Sequence, residues 1–325
     1  MCTRTLWNTN NLAVVVGRSM DWPESTEPKL HIFPRGIKRD GGKVVPETVI
    51  EENPARWTSR YGSIITSAYG MGSVDGMNEK GLAMNLLFLT VTDYGLRDSS
   101  REGVQAGLWG QYLLDNAATV SEALELVEGI QPVLVEHAGN ETFLHLAIED
   151  SSGDSAIIEY VEGKPHVYHG PEHRVLTNDP SYDQQLELLK QWDFTNATRE
   201  TPLPGNVNPV DRFVRSNYFL QTLREPKDER EAMASIIAIA RNTSVPFNAP
   251  NKTPGTTYDT EYRTALDLTN RRYFFELTTS PNIIWADLLA FDLSPDAPAL
   301  VLDPNNFALS GNVTGEFEAS ETAPF

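Results

Sequence analysis

Short runs of β-branched and apolar residues come in blocks along this chain, and pairs of helix-patterned segments separate the blocks. Strand-type runs occupy residues 3–6, 12–18, 62–69, 72–75 and 82–91, the last two joined by the turn NEKG at 78–81. Apolar residues at three- and four-residue spacing then predict helices over 104–116 and 120–130, the second capped by Thr119 or Ser121. Strand patterning returns at 143–149, 156–162, 166–168 and 174–177, helical patterning at 182–192, 210–224 and 228–240, and strands again at 271–276, 282–286 and 288–293. Strand blocks interleaved with helix pairs predict an α+β fold in which sheets pack between helical layers. No internal repeat or long linker interrupts the pattern, and the Pro-rich stretch 201–209 reads as a loop, so residues 1–325 are expected to form one domain.

A chain of 325 residues buries a substantial core without covalent staples, and its single cysteine permits no intrachain disulfide. The formal charge of −19 repels phosphate backbones and anionic membranes, so neither nucleic acid nor membrane is an expected partner. The longest apolar stretches, 12–17 and 235–240, are far too short to span a bilayer. The opening MCTRTLW lacks an apolar leader core, which reads as cytoplasmic; the location is periplasmic if Met1 stands in place of a removed signal peptide. His166, His169 and His173 do not form a metal set: residues three apart on a strand face opposite sides, and Pro165, Gly170 and Pro171 break any helix that would align them. No metal or organic cofactor is expected.

The informative thiol is Cys2. Loss of Met1 would place a nucleophile and an α-amine on the same residue, and an amine with an ordinary pKa of about 7.7–8.0 can act as base for its own side chain. The polar cluster NTNN at 8–11 is turn material, so residues 3–6 and 12–18 form a hairpin. A loop centred on Asn10 makes paired positions sum to about 20 and sets Arg18 opposite Cys2, where its positive charge would favour the thiolate. Asp21, just past the strand end, could orient the α-ammonium. Against this stand the plain alternatives of a small buried cysteine and a surface ion pair.

MCT at the start, GRSMDW at 17–22, FPRG at 33–36, DGMNEKGL at 75–82, VLTNDP at 175–180 and DRFVR at 211–215, in that order, resemble the choloylglycine hydrolase family. That family includes penicillin V acylases and conjugated bile salt hydrolases. The resemblance implies an αββα sandwich of the N-terminal-nucleophile hydrolase type, two antiparallel sheets between helical layers. It matches Cys2 to the nucleophile, Arg18 and Asp21 to the charged pair beside it, Asn178 to the side-chain amide of the oxyanion hole and Arg212 to a supporting arginine. Phe88 falls where the family supplies a backbone N–H to that hole. The implied reaction is acyl transfer through a thioester on a small-molecule acyl amide.

Phe at 88, where bile salt hydrolases usually carry Asn, and NLL at 85–87 resemble the Gram-negative branch of the family. The acyl pocket is expected from Met20, Trp22, Phe88 and the loop near Val135. A penicillin V acylase-like activity is the leading expectation. Conjugated bile salts, N-acyl homoserine lactones, a fatty acyl amide, or a non-catalytic binding protein of the same fold are the alternatives. The family's pattern implies a homo-oligomer, a tetramer, although the stretch between Asn178 and Arg212 is shorter than the one that builds the tetramer in Gram-positive bile salt hydrolases.

Overall fold

The computed structural model describes residues 1–137, 140–141, 143–252, 256–320 and 325. Strands β1 (Cys2–Trp7) and β2 (Val15–Asp21) pair antiparallel as a hairpin, with Cys2 opposite Met20, Arg4 opposite Arg18 and Trp7 opposite Val15. This corrects the expected register by two residues. Asn10 Oδ1 accepts from the N–H groups of Leu12 (3.1 Å) and Ala13 (2.9 Å), which holds the start of the apolar run in the turn. The loop therefore spans residues 8–14 and is centred on Asn11. Because side chains alternate with a period of two, an even slip leaves each on its expected face, and Arg18 remains a diagonal neighbour of Cys2.

Among the described residues, β1 and β2 belong to a seven-stranded sheet in the order Val175–Leu176, β1, β2, Thr260–Asp267, Arg272–Leu277, Ile284–Asp287, Gly311–Asn312. Its neighbours run antiparallel except the last pair. A nine-stranded antiparallel sheet faces it, in the order Lys164–His169, Ser155–Val161, Leu144–Glu149, Ala83–Phe88, Gly72–Asn78, Ser63–Ala68, Lys29–Phe33, Leu300–Leu302, Glu318–Ala319. Alternation along residues 83–87 shows how that sheet serves two layers. Ala83 and Leu87 join an apolar cluster shared with the other sheet, whereas Met84 and Leu86 join one under α1 (Trp109–Asn116) and α2 (Val120–Gly129).

Three further α-helices among the described residues are α3 (Tyr182–Leu189), α4 (Pro209–Thr222) and α5 (Glu229–Asn242). Thr119 caps α2, while Asn208, followed by Pro209 in the first turn, caps α4. α4 and α5 cover the outer face of the seven-stranded sheet, so the layers run helix, sheet, sheet, helix. Two of the differences from expectation concern element type. Glu102–Gln105 pairs in parallel with Ile130–Val133, so α1 starts at Trp109 and not at 104; and Leu288–Ala290 is a short 3-10 turn where a strand was expected.

Candidate functional site

Strand parity decides which groups meet the thiol. Cys2 and Arg18 face the gap between the two sheets, and Cys2 is only 2% exposed. Arg18 Nη2 lies 3.3 Å from Cys2 Sγ and also donates to Leu86 O at 3.2 Å. Its Nη1 bonds to Asp75 Oδ2 and, at 3.1 Å, to Tyr262 Oη. Burial works against the guanidinium's charge, but Asp75 and the neighbouring sulfur outweigh it and push the Arg18 pKa well above its ordinary value.

Asp21, three residues on from Arg18, points to the opposite side of the sheet, under α4. Its Oδ1 accepts from Thr260 Oγ1 at 2.6 Å, and its Oδ2 sits 3.4 Å from Arg212 Nη1. Asp21 N donates to Met1 O at 2.7 Å, and the Met1 amine donates back to Asp21 O. Burial lowers the pKa of that amine, an effect that the nearby Cys2 and Asp21 oppose. Arg212, on the first turns of α4, is itself fully buried: Nε donates to Val207 O (2.8 Å), Nη1 to Cys2 O (2.6 Å) and Thr3 Oγ1, and Nη2 to Asn178 Oδ1 (3.0 Å).

Asn178 follows the short strand beside β1. Its Oδ1 also accepts from Cys2 N at 2.5 Å, and its Nδ2 donates to Phe88 O at 2.7 Å. Two side chains fix the segment behind it. His145 bonds to Thr177 O (2.9 Å) and to Glu159 (2.8 Å), and Gln185 Nε2 donates to the carbonyls of Asn178 (2.5 Å) and Pro180 (2.7 Å). Phe88 is the last residue of its strand and lies opposite Leu144, while Leu89 N donates to Phe143 O. Antiparallel ladders alternate bonded and non-bonded pairs, so the Phe88 N–H turns from Leu144 toward the side where its carbonyl meets Asn178. Arg18, Asn178 and Arg212 thus contact Cys2 at its sulfur, nitrogen and carbonyl oxygen, residue 88 joins them through Asn178, and Asp21 lies on the opposite side of the sheet against Arg212.

The thiol opens onto an apolar cavity between the two sheets. Its walls include Met20, Trp22 and Phe88, as expected, and also Tyr69, Met71 and Leu144. Trp22 tilts against Phe88 with ring centroids 5.6 Å apart and meets Tyr258 edge-on at 6.2 Å. Val135 is buried but does not line the cavity among the described residues, which corrects its assignment. Asp75 and Asn85 stand in motifs that carry the resemblance, but neither they nor Tyr262 has a site role legible in the sequence, because that role comes from contacts with Arg18 on a strand far away in the chain. His166 and His169 lie on a strand, with His169 bonded to Asp154 at 2.8 Å. No group of three or more potential metal-binding side chains occurs among the described residues.

The model of the choloylglycine hydrolase family, described as linear amide C–N hydrolases, matches residues 2–303. The chain belongs to this family. It is 37% identical to the penicillin V acylase of Pectobacterium atrosepticum over 338 aligned residues, covering 96% of this chain and 88% of that one. The solved penicillin V acylase of Agrobacterium tumefaciens superposes with a TM-score of 0.87 at 36% identity, covering 100% and 98% of the two chains. The C2A mutant of conjugated bile acid hydrolase from Clostridium perfringens shares the fold, with a TM-score of 0.77 at 20% identity over 96% and 98%. The protein is therefore an amidohydrolase acting on linear amides, similar to penicillin V acylases, on the αββα frame.

Proposed function

We propose that Cys2, once Met1 is removed, is the nucleophile of a penicillin V acylase-like amidase. Support comes from one observation above all: the only thiol opens into an apolar, aromatic-walled cavity with a guanidinium on its sulfur and a side-chain amide on its main-chain nitrogen. Removal of Met1 turns that nitrogen into an α-amine. The amine takes the thiol proton, and the sulfur attacks the amide carbonyl carbon. Negative charge on the former carbonyl oxygen is held by Asn178 Nδ2 and the N–H of residue 88. As the C–N bond breaks, the α-ammonium returns the proton to the leaving nitrogen, leaving a thioester on Cys2. Water, deprotonated by the same amine, then hydrolyses the thioester and releases the acid. Asp21, buried beside Arg212 and Thr260, holds the ammonium form in place.

The acyl half of the substrate occupies the cavity, and its Trp22–Phe88 wall suits a flat aromatic or other apolar acyl group. Phenoxyacetyl amides such as penicillin V are the first substrates to test. The test is turnover by wild type and Cys2→Ala, with intact mass before and after substrate. Wild type lacking Met1, with one transient acyl adduct that Cys2→Ala never forms, is the expected result. Full hydrolysis by Cys2→Ala would end this reading.

A further inference from the structure

The guanidinium on the Cys2 sulfur is itself held from behind by a buried cluster that bridges the two sheets. Asp75 Oδ2 accepts from Arg18 Nη1 and lies 3.3 Å from Tyr262 Oη, and Asp75 Oδ1 accepts from Asn85 Nδ2 at 2.5 Å. Asp75 and Asn85 are direct cross-strand partners in the nine-stranded sheet, while Tyr262 stands opposite Met20 in the seven-stranded sheet. All three are fully buried. A carboxylate held this way fixes the fork of Arg18 in one orientation. It also sets a negative charge one guanidinium away from the sulfur. The other charges around Cys2 are Asp21 from β2, Arg212 from α4 and the terminal amine, with the exposed Glu141 on the cavity wall. Asp21 and Arg212 offset each other as a pair, and of the remaining charges the Arg18–Asp75 pair is the one in direct contact with the sulfur.

We propose that Asp75 is a positioning residue for amide cleavage, one that holds Arg18 against the Cys2 sulfur and offsets the guanidinium's charge there. This rests on the reading of Cys2 as nucleophile. Replacing the carboxylate by an amide keeps an acceptor for Arg18 and removes the negative charge, so the uncompensated guanidinium favours the thiolate more strongly. The site can accommodate Asp75→Asn: Asn85 Oδ1 is buried without a hydrogen-bond partner among the described residues, so a turn of the Asn85 amide supplies the acceptor that the new carboxamide needs.

The test is the pH dependence of iodoacetamide alkylation of the sole cysteine in processed wild type, Asp75→Asn and Asp75→Glu, each checked for fold by circular dichroism. For Asp75→Asn the pH of half-maximal rate is expected to fall by about one unit. The plateau rate at high pH is expected to drop roughly threefold, because a more acidic thiol gives a weaker nucleophile. Asp75→Glu keeps the charge and should restore the wild-type midpoint. A merely structural role would lower stability and leave the midpoint in place, so an unchanged or raised midpoint in folded Asp75→Asn overturns the proposal. Should that variant not fold, Tyr262→Phe decides. It leaves both charges, so a wild-type midpoint supports the carboxylate as the controlling group, and a shift of a unit assigns control to the hydroxyl and overturns it. Alkylation needs no turnover, so it reads Asp75 separately from catalysis; full hydrolysis by Cys2→Ala would instead remove the nucleophile reading on which the catalytic role depends.

Discussion

Asn178 commits its side-chain oxygen and one of its two Nδ2 hydrogens to fixed partners. Its oxygen accepts from Cys2 N and Arg212 Nη2, and its nitrogen donates to Phe88 O, so the amide cannot turn over without losing three bonds. One Nδ2 hydrogen remains for the oxyanion. Asn178→Ala is expected to lower kcat by about 10²–10³ with little change in KM, read by steady-state hydrolysis of a phenoxyacetyl amide. A raised KM at unchanged kcat would assign Asn178 to ground-state binding instead. His31 makes a different kind of single-residue prediction. Burial first, then Arg39 and Lys29, bring its pKa from 6.5 to about 4, and its Nδ1 has no partner among the described residues. Because the folded pKa is depressed, the unfolded chain binds the extra proton between these values. Stability is thus present above pH 6.5 and lost as pH falls toward 4. The loss from this group between pH 7 and 5 is about 2 kcal/mol. Urea denaturation of His31→Phe should show that much less pH dependence than wild type, and equal dependence in both proteins would discount it.

At the scale of elements, the hairpin carries the site because α5 can lie close upon it. A Cβ on Gly17 would come within 3.0 Å of Ile236 Cγ1 and 3.1 Å of the Ile236 carbonyl oxygen on α5. Gly17→Val is therefore expected to cost about 1–3 kcal/mol through overpacking, measured by thermal or urea denaturation. Trimming the contact with Ile236→Ala in the same chain should recover part of that loss. A stable single Gly17→Val variant would show that α5 shifts freely. The same hairpin marks how far the sequence could be read. Parity put Cys2 and Arg18 on one face, since alternating side chains tolerate an even slip. The register itself depended on the Asn10 side chain bonding to Leu12 and Ala13, a local contact that residue types alone do not dictate. Thr260–Asp267 is not legible as a strand by its apolar content, since five of its eight residues are polar or charged, and Pro28 and Pro34 bracket the five-residue Lys29–Phe33. Without the first of these strands, Tyr262 could not be placed behind Arg18.

At the scale of the whole molecule, two buried ion pairs among the described residues join the facing sheets, Arg18–Asp75 beside the thiol and Arg4–Glu149 away from it. Arg18–Asp75 bears on the sulfur; Arg4–Glu149 lies further along β1, where Arg4 also donates to Ser155 Oγ (2.9 Å) and His173 O (2.8 Å). Both members of the second pair are fully buried, so its charges were desolvated when the sheets came together. Their attraction largely offsets that cost but does not make the pair a net source of stability. Removing one partner is another matter, because it strands a guanidinium between two sheets. Glu149→Leu is expected to lose about 3–5 kcal/mol in urea denaturation, and the double variant Arg4→Met with Glu149→Leu should regain most of it. Among the described residues the Arg4 and Glu149 side chains make no hydrogen bond or ion pair with Cys2 or Arg18. The double variant removes one charge of each sign, so the repulsion of Glu149 on Asp75 is lost together with the opposing Arg4 charge. The pH profile of Cys2 alkylation in the folded double variant should therefore match wild type. A moved profile there would mean that the two sheets transmit charge changes to the thiol as one unit, and the separation between the pair that supports the fold and the pair that serves the sulfur would not hold.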